Sequence, residues 1–287
     1  MAGPSSTQDS SGTEGDVETN NNNGQLPKEG AIVSEKRSWL AQRLETEVSL
    51  KHADLVFVLC SFLSGLCDSS TYNAWNCFVS MQTGNTVFLA LGASNQSLER
   101  KYGWLKSLVS ISSFLAGSFV FSNTRRFRPQ SRRTLMASFA VQSLLIVIAA
   151  SLLQSGLISD SISPSGQSEF LQLIPLSLIA FQCAGQMAAS RLLSFNEIPT
   201  TVLTSVYYDI ASDPGILHSF SKNLKRNRRC ASVVAIVGGA ILGGWLARLR
   251  GGIATAFWIA AGLKFCVMLS WWFWKPAVKK QPDESDA

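Results

Sequence analysis

Polar and apolar residues fall along this chain in long blocks rather than at short periods. Six blocks are apolar over near-spanning lengths: 53–75, 106–122, 134–154, 170–190, 231–247 and 253–274. A helix needs about 20 apolar residues, in a range of roughly 17–25, to cross the hydrocarbon core of a bilayer. Each block therefore predicts one transmembrane helix. Two further stretches, 81–93 (MQTGNTVFLALGA) and 198–212 (IPTTVLTSVYYDIAS), are too short or too polar to cross. They read as half-helices or re-entrant segments. The fold class that follows is all-α: a polytopic membrane bundle of about six spans with two short broken helices.

The flanks differ in kind. Residues 1–34 are rich in Ser, Asn, Gly and Thr, cannot bury a core, and are expected to be disordered. Residues 35–52 place Trp39, Leu40, Leu44 and Val48 at helical spacing and read as an amphipathic juxtamembrane segment. The transmembrane domain then covers 53–274, leaving a C-terminal tail at 275–287. The first apolar block starts too late for a cleaved leader, so the first span itself is expected to direct insertion.

Composition supports the membrane reading. Charged residues make up only 15% and hydrophobic residues 46%, against about 25% charged in a typical soluble domain. The net charge of +6 raises the question of nucleic acid, but the bases sit in clusters at block edges. Arg125, Arg126, Arg128, Arg132 and Arg133 form one basic loop, and Lys222, Lys225, Arg226, Arg228 and Arg229 a second. Juxtamembrane bases mark cytoplasmic loops and face anionic lipid, so the expected partner is the bilayer and not nucleic acid. The loop at 155–169, with Asp160 and Glu169, then lies outside, and both termini are cytoplasmic. Glu99, Arg100, Lys101 and Lys106 fall in an outer loop, against the rule, beside the sequon Asn95-Gln96-Ser97. Tyr102, Trp104, Trp271, Trp272 and Trp274 flank spans as interfacial anchors.

The two short pieces resemble each other. Gln82-Thr83-Gly84-Asn85-Thr86-Val87 aligns with Glu197-Ile198-Pro199-Thr200-Thr201-Val202 at Thr86-Val87 and Thr201-Val202. Each follows a span studded with polar residues and precedes two more spans. The units 53–154 and 170–274 thus repeat one order. Three spans per unit is odd, so the second unit is inverted relative to the first, a plan that recurs in secondary transporters. Gly84 and Pro199 explain the interruptions, one by conformational freedom and the other by its missing amide donor.

Gly65-Leu66-Cys67-Asp68, Tyr72 and Met81-Gln82-Thr83-Gly84-Asn85-Thr86-Val87 together resemble the signature of the YoaK-like family of small multipass membrane proteins, whose domain has no assigned function. Pro199-Thr200-Thr201-Val202-Leu203-Thr204 is similar to that family's second motif. The resemblance covers about residues 50–275. This chain departs from it slightly, with Ser69 after the Asp where many members have alanine, and Gln82 before Thr-Gly-Asn where Met is common. It implies a membrane fold and motif positions, but no substrate.

The candidate chemistry is polar groups inside apolar helices. Asp68 lies deep in the first span, where an acid is costly unless paired or hydrated. Asn73 follows it, and Lys264 and Arg191 are the candidate charge partners. Gln182 and Gln186 share a helix face four residues apart, and Gln142 adds a further amide. Thr83, Gly84, Asn85 and Thr86, with Pro199, Thr200, Thr201 and Thr204, offer donors and acceptors at the two interruptions. Asp209 reads as a solvated acid. Ala235, Gly239, Gly243 and Ala247 form a small-residue stripe that fits either packing within the chain or a homodimer seam. The six cysteines form no CxxC pair and read as buried hydrophobes; no metal site or cofactor is expected. No nucleophile–base motif or Walker loop appears, so an enzyme is not expected. The leading expectation is a small secondary transporter of an unknown solute or ion, with one polar site formed by both Thr-rich breaks. The alternative is a non-transporting membrane scaffold or assembly factor.

Overall fold

The computed structural model describes residues 39–94, 103–159 and 169–278. The tail at 1–34, the sequon at 95–97, Glu99, Arg100, Lys101, Tyr102, Asp160 and residues 279–287 lie outside the described residues. The chain divides into two compact units, 1–41 and 42–287. Of the first, only residues 39–41 are described, as helix; the second holds everything below.

The helices are α1 (39–45), α2 (Asp54–Trp75), α3 (Gln82–Ala93), α4 (Gly103–Ser122), α5 (Arg132–Gln154), α6 (Glu169–Leu192), α7 (Thr204–Ala211), α8 (Leu224–Leu246) and α9 (Gly252–Phe273), with a 3-10 turn at Asn123–Phe127. Six of them, α2, α4, α5, α6, α8 and α9, are long and apolar enough to cross a membrane. The 12-residue α3 and 8-residue α7 are not; at 1.5 Å per residue they reach about 18 and 12 Å, short of a core about 30 Å thick. The described residues hold no strand, only two isolated bridges. The protein is an all-α membrane bundle of six spans and two short helices.

Three boundaries differ from the sequence reading. The helix at 35–52 is helical only to residue 45 among its described part. Residues 47 and 48 instead bridge to Ser131 and Pro276, because Val48 is buried in a core with Phe57, Phe139 and Trp271. The second basic loop is mostly helix: the Asn223 side chain accepts from the Arg226 amide at 3.0 Å and caps α8 seven residues earlier than the apolar block begins. Lys106 is a buried helical residue of α4, not a loop base, and its Nζ donates to Gln172 Oε1 at 2.8 Å.

Cross-chain contacts assign the ends. The Val48 amide donates to Gln130 O and the Ser49 amide to Lys275 O, both at 2.9 Å. Arg228 pairs with Asp54 at 3.0 Å and Glu197 at 2.6 Å. The starts of α2, α5 and α8 and the ends of α4, α6 and α9 therefore share one end, which also carries both basic clusters. At the opposite end, Trp75 Nε1 donates to Ser159 O at 3.3 Å and Trp258 Nε1 to Gln154 Oε1 at 2.6 Å. Hence α2 and α8 run parallel, and α6 runs against them.

The closest approaches are made by glycine. The most extensive pairings are α2 with α8, α4 with α6, and α5 with α9. A Cβ on Gly239 would stand 1.9 Å from Phe62 O, one on Gly65 2.0 Å from Ile236 O, and one on Gly117 2.3 Å from Phe181 O. Small residues allow such backbone contact where lipid removes the usual hydrophobic drive. Gly239 and Gly243 of the stripe are thus buried against α2 within the chain. α2 is the most enclosed span and α8 the least.

Gly239→Ala is expected to lower thermal stability in detergent by about 1–3 kcal/mol through overpacking. Gly244→Ala, where nothing lies within 4 Å of the new Cβ, is expected to be neutral or slightly stabilising. Equal unfolding midpoints for the two variants would remove the proposed glycine contact.

Candidate functional site

After Trp75 the chain turns back into the bundle. Asn76 takes a left-handed conformation (φ 54°) and ends α2, and its amide donates to Tyr72 O. The next residues run back along α2 until Val79 and Ser80 reach Asp68. Both amides donate to Asp68 Oδ1 at 2.8 Å, and Ser80 Oγ donates to Oδ2 at 2.5 Å. Asp68 precedes the end of α2 by seven residues, a depth of about 10 Å. α3 then climbs outward along α4, with Asn85 beside Ser110 at 3.1 Å and Gly92 against Trp104.

Asn85 locks the turn. Its Oδ1 accepts from the Phe78 amide at 3.0 Å, and its Nδ2 donates to Phe78 O at 2.7 Å and Gln82 Oε1 at 2.8 Å. Gly84 leaves room for the Phe78 ring, which a Cβ would meet at 2.9 Å. Phe78 stacks on Tyr72 with ring centroids 4.8 Å apart. Thr83, Thr86 and Asn73 are exposed. Thr86 Oγ1 donates to Gln82 O, and Asn73 Nδ2 to Ser69 O. Those three do not face the Asp68 network.

The second interruption folds back from the basic end. Ser190 Oγ lies within hydrogen-bonding distance of Phe195 O (2.9 Å) and Ile198 O (2.6 Å), and donates across them. Thr201 reaches Met187 Sδ at 3.5 Å. Pro199, Thr200 and Thr201 are buried, whereas Thr204 is exposed at the start of α7. Thr200 is left-handed (φ 63°), and its buried Oγ1 has no partner. Arg228 stands 4.9 Å above the Phe195 ring, which pins the loop to the start of α8.

The two interruptions therefore enter from opposite ends, and among the described residues no hydrogen bond joins Thr83–Thr86 to Thr200–Thr204. What lies between them is Lys264. It is wholly buried, about midway along α9, and donates to Gln142 Oε1 at 2.5 Å and Gln186 Oε1 at 2.7 Å. Its Nζ is 5.2 Å from the Phe139 ring centroid.

Both amides are oriented by their other ends. Gln142 Nε2 donates to Ser138 Oγ at 3.1 Å. Gln186 Nε2 donates to Ser64 Oγ at 2.6 Å and Cys60 O at 3.1 Å. The oxygens are left to face the lysine. Gln182, one turn along α6, sends Nε2 to Cys183 Sγ at 3.2 Å, and its buried Oε1 has no partner. The cluster thus draws on α2, α5, α6 and α9.

Neither expected partner neutralises Asp68. Lys264 is engaged by the two glutamines, and Arg191 is exposed at the end of α6, its nearest polar partner being Asn196 at 3.4 Å. Asp68 is satisfied by hydrogen-bond donors of its own loop instead. Asp209 is not merely solvated; it pairs with Arg229 at 3.3 Å. Ser64, Ser80 and Ser190 do much of the positioning and carry no sequence signal, being serines among many. Among the described residues no group of three or more His, Cys, Asp or Glu is placed to hold a metal ion. All six cysteines are free thiols, and Cys266 is exposed.

No curated protein and no solved structure matches the chain. A family model described as a protein of unknown function (DUF1275) matches residues 56–270. That stretch takes in both folded-back segments and the whole Lys264 cluster, and the chain belongs to the DUF1275 family.

Proposed function

We propose that this protein is a small membrane carrier for an anionic solute, with Lys264 as the group that meets the charge. The observation behind this reading is a lysine sealed at mid-span and held only by neutral groups. A cation at that depth is costly, and such residues line ion or substrate paths by default. Removing one partner of a buried charge pair costs about 3–5 kcal/mol, so a lysine without a carboxylate partner leaves a strong demand for an anion. Two amide oxygens moderate the charge without cancelling it. The unpartnered Gln182 Oε1 beside them adds an acceptor for a donor group on the same solute.

The architecture supports the carrier reading. In this proposal the halves 53–154 and 170–274 are inverted repeats, each a span, a folded-back segment and two further spans. Equivalent contacts recur under that exchange. Gly117 of α4 meets the Phe181 carbonyl of α6, as Gly239 of α8 meets the Phe62 carbonyl of α2. Lys106 of α4 reaches Gln172 of α6, as Arg228 of α8 reaches Asp54 of α2. A site between two inverted halves, near the bilayer midplane, is the usual carrier plan. In this reading the end richer in Lys and Arg faces the cytoplasm, together with both termini. Asp68, in the signature read above as YoaK-like, acts here as the lock of the first folded-back segment and not as the solute's contact.

Full-length protein in proteoliposomes is expected to move at least one of chloride, nitrate, sulfate, phosphate or a labelled monocarboxylate down an imposed gradient. Lys264→Met is expected to reduce that flux to the level of empty vesicles, and Lys264→Arg to retain part of it. Unaltered flux in Lys264→Met, or no flux of any of these anions by intact protein, would end this reading and leave the scaffold alternative. Asp68→Asn is expected to leave flux measurable while lowering stability by about 1–3 kcal/mol, the cost of disturbing buried hydrogen bonds. The reverse pattern, lost flux at unchanged stability, would reassign Asp68 to the solute path.

A further inference from the structure

A groove of about 670 Å³ opens at the basic end between the close of α4 and the start of α5. Its wall changes chemistry with depth. Arg128 and Arg133 stand at its outer edge, the hydroxyls of Ser131 and Thr134 come next, and Val120, Ala137 and Val141 line the inner part. Ala137 and Val141 follow the first residue of α5 by five and nine positions, so they lie about 8 and 14 Å into the span. The order from the bundle end inward is cation, hydroxyl, hydrocarbon.

That order matches one kind of molecule standing in a bilayer leaflet. A glycerophospholipid presents a phosphate at the surface, ester oxygens below it, and acyl chains beneath. The turn that carries the two arginines is fixed by its own hydrogen bonds, the Ser131 hydroxyl donating to Thr134 Oγ1 at 2.9 Å. Ser131 Oγ accepts from the Thr134 amide at 3.3 Å as the cap of α5, and Thr134 Oγ1 donates to Phe127 O across the turn. Arg128 sits at that turn in a left-handed conformation (φ 49°). Among the described residues neither Arg128 nor Arg133 pairs with a carboxylate, the four ion pairs all belonging to Arg228 and Arg229. Glu45 is the one acid on the wall. It offsets one of the two arginines, and the exposed Arg125 and Arg126 on the adjoining 3-10 turn restore the positive excess.

We propose that this groove binds one anionic phospholipid, its phosphate on Arg128 and Arg133 and an acyl chain along Val120, Ala137 and Val141. Basic pockets between helices at the cytoplasmic surface recognise such head groups. The site is independent of Lys264 and of the carrier reading. A lipid bound there clamps the α4–α5 turn at the end where the N-terminal segment, this loop and the C-terminal segment are bridged together.

The test uses full-length protein in mild detergent, doped with phosphatidylglycerol or phosphatidylcholine and read by native mass spectrometry. Retention of a single phosphatidylglycerol is expected, with little phosphatidylcholine. Affinity is expected to fall about fivefold for each arginine changed to glutamine, the worth of one basic side chain near an anionic surface. Arg128→Lys/Arg133→Lys is expected to keep most of the binding. Ala137→Trp, which fills the apolar part with both arginines intact, is expected to abolish it. Inorganic phosphate at millimolar concentration is expected not to compete. Equal retention of the two lipids, undiminished binding in Arg128→Gln/Arg133→Gln, or displacement by phosphate alone would overturn the proposal. Circular dichroism of each variant separates lost binding from lost fold.

Discussion

Inside a bilayer a backbone amide that leaves a helix has no water to bond, and everything unusual in this protein follows from that shortage. An unsatisfied donor or acceptor in hydrocarbon costs several kcal/mol. The chain nevertheless leaves helical geometry twice at depth. It does so where a side chain on the preceding span supplies what the loop lacks. The first loop approaches the start of α3 with free amides at Val79 and Ser80, and Asp68 accepts both. In the second loop Ser190 Oγ reaches the Ile198 carbonyl, beside the Phe195 carbonyl that the Ile198 amide already bonds. An acid answers surplus donors and a hydroxyl answers surplus acceptors. The local chemistry is opposite because one loop precedes a helix start and the other follows a helix end.

The same shortage governs the centre. Lys264 cannot reach water from its position in α9, so α5 and α6 each contribute an amide oxygen. Those amides are held by Ser138, Ser64 and the Cys60 carbonyl. The hydrogen bonds therefore chain across four helices and tie both halves of the sequence together at mid-depth. Networks of this kind are stringent: each member left unpaired in a low dielectric costs more than it contributed when paired. Gln182 Oε1 and Thr200 Oγ1 are among the described buried polar atoms without partners, one on α6 a turn from Gln186 and the other in the second loop.

Much of this architecture was legible from residue order alone. Block length predicts all six spans, and brevity predicts that α3 and α7 do not cross. Counting also bears on the site. An odd number of spans between the two Thr-rich segments carries them to opposite ends, as an inverted repeat would require. Rotation and partners were not legible. Thr83 and Thr86 share a motif with Asn85, yet the helix turns only Asn85 inward. Lys106 resembles a loop charge because its partner, Gln172, is 66 residues away. The basic run before 231 looks like a connector because interfacial helix is polar, and only the Asn223 cap marks where α8 starts. Gln142 and Gln186 have the same composition signal as any buried amide. Their role comes from Lys264, which long-range folding alone brings between them.

The distribution of tight and loose contacts gives the proposed carrier its moving parts. α2 with α8, and α4 with α6, are joined by glycine contacts with almost no space between backbones, so in the proposed carrier each pair would move as one body. A glycine-lined contact of this kind is extended along the helices and has no single weak bond. The link through Lys264 is different. It consists of a few hydrogen bonds, charge-assisted at the lysine, set against an apolar core that α2, α5, α6 and α9 share. An anion that displaced Gln142 or Gln186 from Lys264 would exchange one of these hydrogen bonds for a charge pair. Displacing Gln186 would free α6 from α9 while leaving the Gln186 bonds to Cys60 and Ser64 of α2, and each glycine-packed pair, in place. In the proposed carrier, the asymmetry between extended backbone packing and localised hydrogen bonding would let solute binding act on the relation between the pairs rather than on their internal structure.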